Sequence, residues 1–92
     1  MITLEDCIAM CGLTEEEVLA IAEHEHIPEI VATAEASYLL NDEHGIEKIR
    51  DMIIDDIKSS LKDKNTMHAS ELIFVLNSFL KKYPEAKLDD NQ

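Results

Sequence analysis

No lysine or arginine precedes Lys48 in this chain of 92 residues. The segment 1–47 carries twelve carboxylates (Glu5, Asp6, Glu15, Glu16, Glu17, Glu23, Glu25, Glu29, Glu35, Asp42, Glu43 and Glu47) and no base, whereas 48–92 carries eight acids and eight bases. The formal net charge of −12 therefore belongs to the first half. A surface of that sign repels phosphate, which argues against DNA, RNA and anionic membranes as direct partners. Tryptophan is absent, and Tyr38, Phe74, Phe79 and Tyr83 are the whole aromatic complement, so the core must be aliphatic. Two glycines and two prolines are too few for the turns of a β-sandwich or barrel. Two cysteines make no disulfide framework. No apolar run approaches the roughly 18 residues of a membrane span. The start Met1-Ile2-Thr3-Leu4-Glu5-Asp6 is acidic where a secretory leader would be basic. The expected compartment is accordingly a reducing cytoplasm.

What is present reads as one all-α domain, a compact bundle of about five short helices. A hydrophobic share of 46% is enough for a packed core despite the charge. Thr3 can cap a short helix over about 3–11 that stops at Gly12. Thr14 with Glu17 forms a capping box, and Glu15, Glu16 and Glu17 suit the positive end of a helix running to about 24–26. Pro28 forces a boundary and opens a helix over about 28–40. The stretch Asn41-Asp42-Glu43-His44-Gly45 is a loop. In the next helix, about 46–62, Ile46, Ile49, Ile53, Ile57 and Leu61 fall on one stripe. Asp63-Lys64-Asn65-Thr66 is a turn, with Thr66 or Ser70 as cap for a helix over about 67–82. Its run Leu72-Ile73-Phe74-Val75-Leu76 points around the whole circumference, which predicts the central, most buried helix. A strand over 72–76 would have no partner strand. The domain is expected to span 1–83, with 84–92 a polar, frayed tail.

The most distinctive segment is Glu23-His24-Glu25-His26-Ile27-Pro28-Glu29. Imidazoles and carboxylates at this density suit a transition metal. Glu23 and His26 are an i, i+3 pair of the kind found in di-iron carboxylate bundles, which use it twice. Here His68 and Glu71 form a reversed pair that could face it. Glu23, His24, His26, Glu29 and His68 are thus the candidate metal ligands. His24 and His26 point to nearly opposite sides of a helix, and share a metal only if it unwinds before Pro28. Otherwise one of them sits at the helix C-terminus, where a cation is favoured, and the other is solvated. Cys7, Cys11, His24 and His26 give C-x3-C-x12-H-x-H, whose last spacing is too short for a zinc finger. The cysteines then act as small apolar side chains.

Residues 3–22 have the rhythm of a helix-turn-helix unit. A second helix beginning Glu15-Glu16-Glu17 would push phosphates away, so this unit serves packing or protein contact rather than DNA. Ala32, Ala34, Ala36 and Ser37 allow close helix approach, inside the domain or across a dimer. No phosphate-binding loop, nucleophile elbow or complete metalloprotease motif is present, and no catalytic residue is assigned.

The segments Thr3-Leu4-Glu5-Asp6-Cys7, Gly12-Leu13-Thr14-Glu15-Glu16-Glu17-Val18 and Ala22-Glu23-His24-Glu25-His26-Ile27-Pro28-Glu29-Ile30-Val31-Ala32 resemble a family of short, uncharacterised bacterial cytoplasmic proteins. That resemblance covers about the first 32 residues and implies a small helical protein without an assigned activity. The leading expectation is a non-enzymatic interaction or regulatory module. Glu15, Glu16, Glu17 and Glu25 would meet a basic protein partner, and the apolar surplus of helix 67–82 allows a homodimer. The alternative is a metal-binding protein or small metalloenzyme holding a transition metal ion at the Glu23 to Glu29 segment. A third reading is an acidic mimic of nucleic acid that blocks a DNA-binding protein.

Overall fold

The computed structural model describes residues 1–87. Among them the chain forms five α-helices: α1 (Leu4–Cys11), α2 (Glu15–Glu25), α3 (Glu29–Leu40), α4 (Gly45–Lys62) and α5 (Thr66–Lys82). A single 3-10 turn, Pro84–Ala86, follows α5. No strand is present among the described residues, so the chain is an all-α bundle.

Local chemistry explains the boundaries. Thr3 caps α1 and Thr14 caps α2, each in a reciprocal capping box with the residue three positions on, Asp6 and Glu17. Gly12 takes a left-handed φ of 95° to end α1. Helix α2 ends in the same way at His26, whose φ is 59°. Pro28 stands just outside α3, where its carbonyl accepts from Val31 and Ala32. The α5 cap is Asn65, whose side chain accepts the His68 N–H at 3.3 Å, and neither Thr66 nor Ser70 takes that role.

Helix α4 is the hub, packing against α2, α3, α5 and the 3-10 turn, while α1 rests on α3. The fully buried large side chains Ile21, Val18, Ile49, Ile53 and Phe79 form the centre of the core. The α4 stripe turns inward through Ile49, Ile53 and Ile57, and then Ser60 rather than Leu61 continues it. A helix gains only 100° per residue, so a stripe stepping by four drifts out of the core within a few turns. Gly45 starts α4 so close to α3 that a Cβ there would lie 1.5 Å from the Leu39 carbonyl oxygen.

Two expectations change. Helix α5 is not central: it buries Ala69, Leu72, Val75 and Phe79, but Ile73 and Phe74 face outward. Among the described residues nothing covers that second apolar face, because α5 packs chiefly on α4 along one side. The domain does not stop at residue 83. Ala86 is fully buried and its carbonyl accepts from Arg50 Nη1 at 2.9 Å, so 84–86 belong to the fold; the remainder of the expected tail, 88–92, lies outside the described residues. The helix-turn-helix rhythm is present as α1, a short turn and α2, with α1 resting on α3 and α2 packing on α3 and α4 alike. The Cα envelope measures 44 × 29 × 18 Å, a slab about two helices thick, which leaves several large apolar side chains outside.

Candidate functional site

Helices α2 and α5 meet only loosely, and between them runs a groove of about 530 Å3. Its floor is apolar: Leu19 and Ala20 from α2, and Leu72, Phe74 and Val75 from α5. Its rim is acidic, with Glu16, Glu23 and Glu71, and His68 stands at one end. Phe74 is 72% exposed, and it also borders the two adjoining hollows that extend along α5. A phenyl ring in water gives up roughly 1.5–3 kcal/mol of burial. Such a ring at the centre of a groove is a natural anchor point for a partner.

The rim is held by charge. His68 Nε2 lies 2.8 and 2.9 Å from the two carboxylate oxygens of Glu23, and its Nδ1 lies 3.1 Å from Glu71 Oε1. An imidazole flanked by acceptors on both nitrogens donates to both only as an imidazolium. The Glu23 and Glu71 hydrogen bonds accordingly raise the pKa of His68 above its ordinary value. This bridge ties α2 to α5 at the end of the groove.

A second histidine ties α2 to α4. His24 Nδ1 is 3.0 Å from Glu25 Oε2, and its Nε2 is 3.5 Å from Asp55 Oδ2. Burial pulls the His24 pKa down, but the Glu25 hydrogen bond, the charge of Asp56 and the Asp55 hydrogen bond outweigh it, so the net shift is upward. Asp56, lying near both histidines, is raised by burial and then by Glu23. Glu35 on α3 is raised by burial and then by Glu25. Asp56 Oδ2 and Glu35 Oε2 are buried without a hydrogen-bond partner among the described residues, in keeping with carboxyls that resist ionising.

The five candidate metal ligands do not assemble. Glu23 and His68 meet across α2 and α5. His24 turns to Glu25 and Asp55. His26 leaves the helix at its left-handed terminus, exposed and without a hydrogen bond from its ring among the described residues. Glu29 sits half-buried in the first turn of α3. Among the described residues no group of three or more His, Cys, Asp or Glu is arranged to hold a metal ion. Cys11 is buried, with its thiol 3.2 Å from the Ile8 carbonyl, and Cys7 is half-buried on the same helix.

The four candidate partner-binding glutamates also separate. Glu15 and Glu16 are exposed, and Glu16 forms part of the groove rim. Glu25 is at the surface beside His24. Glu17 is withdrawn from any partner: it is 1% exposed. Its Oε1 accepts from the Thr14 N–H at 2.9 Å and from Lys82 Nζ at 2.7 Å. It locks α2 to the end of α5. The capping-box position of Glu17 was the available signal, because such a carboxylate turns back on its own helix terminus.

Leu19 and Phe74 were missed by reasoning from sequence. Phe74 sits within an apolar run that alone cannot tell a buried side from an open one. No protein-family model matches this chain, and no curated protein and no solved structure matches it.

Proposed function

We infer that this chain is a non-enzymatic interaction module whose α2–α5 groove receives a basic amphipathic helix of a protein partner. The observation that carries this reading is the apolar floor around exposed Phe74, bounded by Glu16, Glu23 and Glu71. A helix presenting apolar residues at i, i+3 and i+7 would fill the floor, and lysines or arginines beside that stripe would meet the rim. The net charge of −12 would speed the encounter with such a partner and repel nucleic acid. The metal reading keeps only Glu23 and His68 of its five residues in contact, and no observation lifts it beside the groove.

The test is a titration with a synthetic amphipathic helix of leucine and lysine, read by fluorescence anisotropy. Binding is expected, and raising salt from about 0.05 to about 0.5 M should weaken it. Phe74→Asp should weaken it at least tenfold, because it removes the anchor and leaves a charge facing the apolar stripe. The same helix with glutamates in place of lysines should not bind. Equal binding of both helices, or of wild type and Phe74→Asp, would overturn the reading.

A further inference from the structure

The groove between α2 and α5 continues beyond its acidic rim. One hollow of about 140 Å3 lies beside Thr14 and Glu17, and another of about 590 Å3 runs past Ser78 to Lys81, Pro84 and Lys87. Phe74 lines all three spaces, and Ser78 lines both of the added ones. One face of α5 forms the track. Glu71, Phe74, Ser78 and Lys81 follow one another at the alternating three- and four-residue spacing that keeps side chains on one side of a helix, and all four are exposed. Charge along this track is divided. Glu23 and Glu71 stand at the His68 end, and Glu16 lies farther in. His68 bridges Glu23 and Glu71, so three carboxylates against one imidazole leave that end negative. The far hollow is lined by Lys81 and Lys87 and by no carboxylate. Glu85, close to them in sequence, is exposed but does not line it, and Lys82 is already paired with Glu17. Along the axis of α5, Glu71 and Lys81 are about 15 Å apart.

Resting on the helix-in-groove reading, we propose that the partner helix is itself charge-polar. Lysines or arginines occupy the end that meets Glu23 and Glu71, and a carboxylate occupies the end that meets Lys81 and Lys87. Charge complementarity selects this occupant. A helix basic along its whole length sets like charges against Lys81 and Lys87, whereas an acid at that end turns the repulsion into attraction. The helix dipole adds a direction. The positive N-terminal end belongs beside the carboxylates and the negative C-terminal end beside the lysines. The partner therefore runs parallel to α5, whose residues number upward from the acidic end to the basic one. A span of about 15 Å needs about three helical turns, so one short segment reaches both ends. Exposed charge pairs add little affinity each, and their part is to fix the direction of a helix that Phe74 anchors.

The experiment titrates the whole chain with two capped leucine helices of identical composition, read by fluorescence anisotropy. In one, lysines fill the polar positions of the first half and glutamates those of the second; in the other the same residues are scattered. The segregated helix should bind at least about threefold more tightly. Lys81→Glu combined with Lys87→Glu, both at exposed positions, should erase that advantage and tighten binding of the all-lysine helix, a gain that damage to the fold would not give. A nitroxide on the lysine end of the segregated helix should broaden the amide signals of His68 and Glu71 and spare those of Lys81 and Lys87. Equal affinity for the two helices, a preference untouched by the double substitution, or broadening at the Lys81 end would overturn the proposal. The groove reading would survive each of these results, because the helices still bind. Failure of every helix to bind, the all-lysine one included, would overturn the groove reading and this proposal with it.

Discussion

Replacing Lys82 by Met isolates the contact that locks α5 onto the start of α2. Glu17 is fully enclosed, and Lys82 is its charged partner at 2.7 Å. Removing one partner of a buried pair costs about 3–5 kcal/mol, because the other charge stays buried and unpaired. Here the lysine side chain is 39% exposed, so water reaches the ammonium and the pair is only half enclosed. The expected loss is therefore about 2 kcal/mol, a fall in Tm of roughly 10 °C for a domain of this size. Lys82 also lies 5.6 Å from the centre of the Tyr83 ring, and that contact disappears as well. A double-mutant cycle separates the two. Glu17→Gln keeps a residue able to complete the capping box with Thr14 but removes the charge. In the Glu17→Gln background, Lys82→Met should cost only the ring contact, about 0.5 kcal/mol. Thermal and urea unfolding followed by circular dichroism would measure all four proteins. A Lys82→Met penalty below about 0.5 kcal/mol in wild type, or one equal in both backgrounds, would refute the argument.

Stability should also fall as pH rises. The folded pKa values of His24 and His68 are raised, so their contribution is complete below the unfolded value of 6.5 and is lost as pH rises through the folded values. Asp56 and Glu35 are raised too, from 3.8 and 4.5, so they add a decline of the same sign at lower pH. Tm is expected to drop between about pH 6 and pH 8; His68→Asn should flatten that drop, and a rising Tm would count against it. Gly45→Ala should destabilise by about 3 kcal/mol or more, because its methyl would meet the Leu39 carbonyl and backbone must move. Urea unfolding measures this, and a cost below 1 kcal/mol would show that the α3–α4 corner is looser than it looks.

The helices were legible because punctuation and period agreed. Thr3 with Asp6, Thr14 with Glu17, Gly12 and Pro28 are local signals that act within one turn, and every boundary they mark falls within about a residue or two of its expected place. The α4 stripe was readable for the same reason, until its drift let Ser60 replace Leu61. What stayed hidden depends on partners distant in sequence. The run Leu72 to Leu76 is apolar all round, and only the flat packing of α5 on α4 decides that Phe74 looks out while Val75 looks in. Glu23 and His68 were both candidates from type and spacing, and they do meet, but as an ion pair across 45 positions. His26 carried the same spacing signal and went elsewhere, because the left-handed turn before Pro28 re-aims it. Lys82 carries no local signal of its role, because its partner Glu17 lies 65 positions away.

The central claim is that an apolar, acid-rimmed groove between α2 and α5 is the working surface of this protein. It is tested most directly by amide chemical-shift mapping of the labelled chain during titration with the leucine–lysine helix. Shifts concentrated at Glu16, Leu19, Ala20, Glu23, His68, Glu71 and Phe74 are the expected result. Shifts centred on Ile30, Ala34 and Tyr38, or scattered over the acidic surface without saturating, would contradict it.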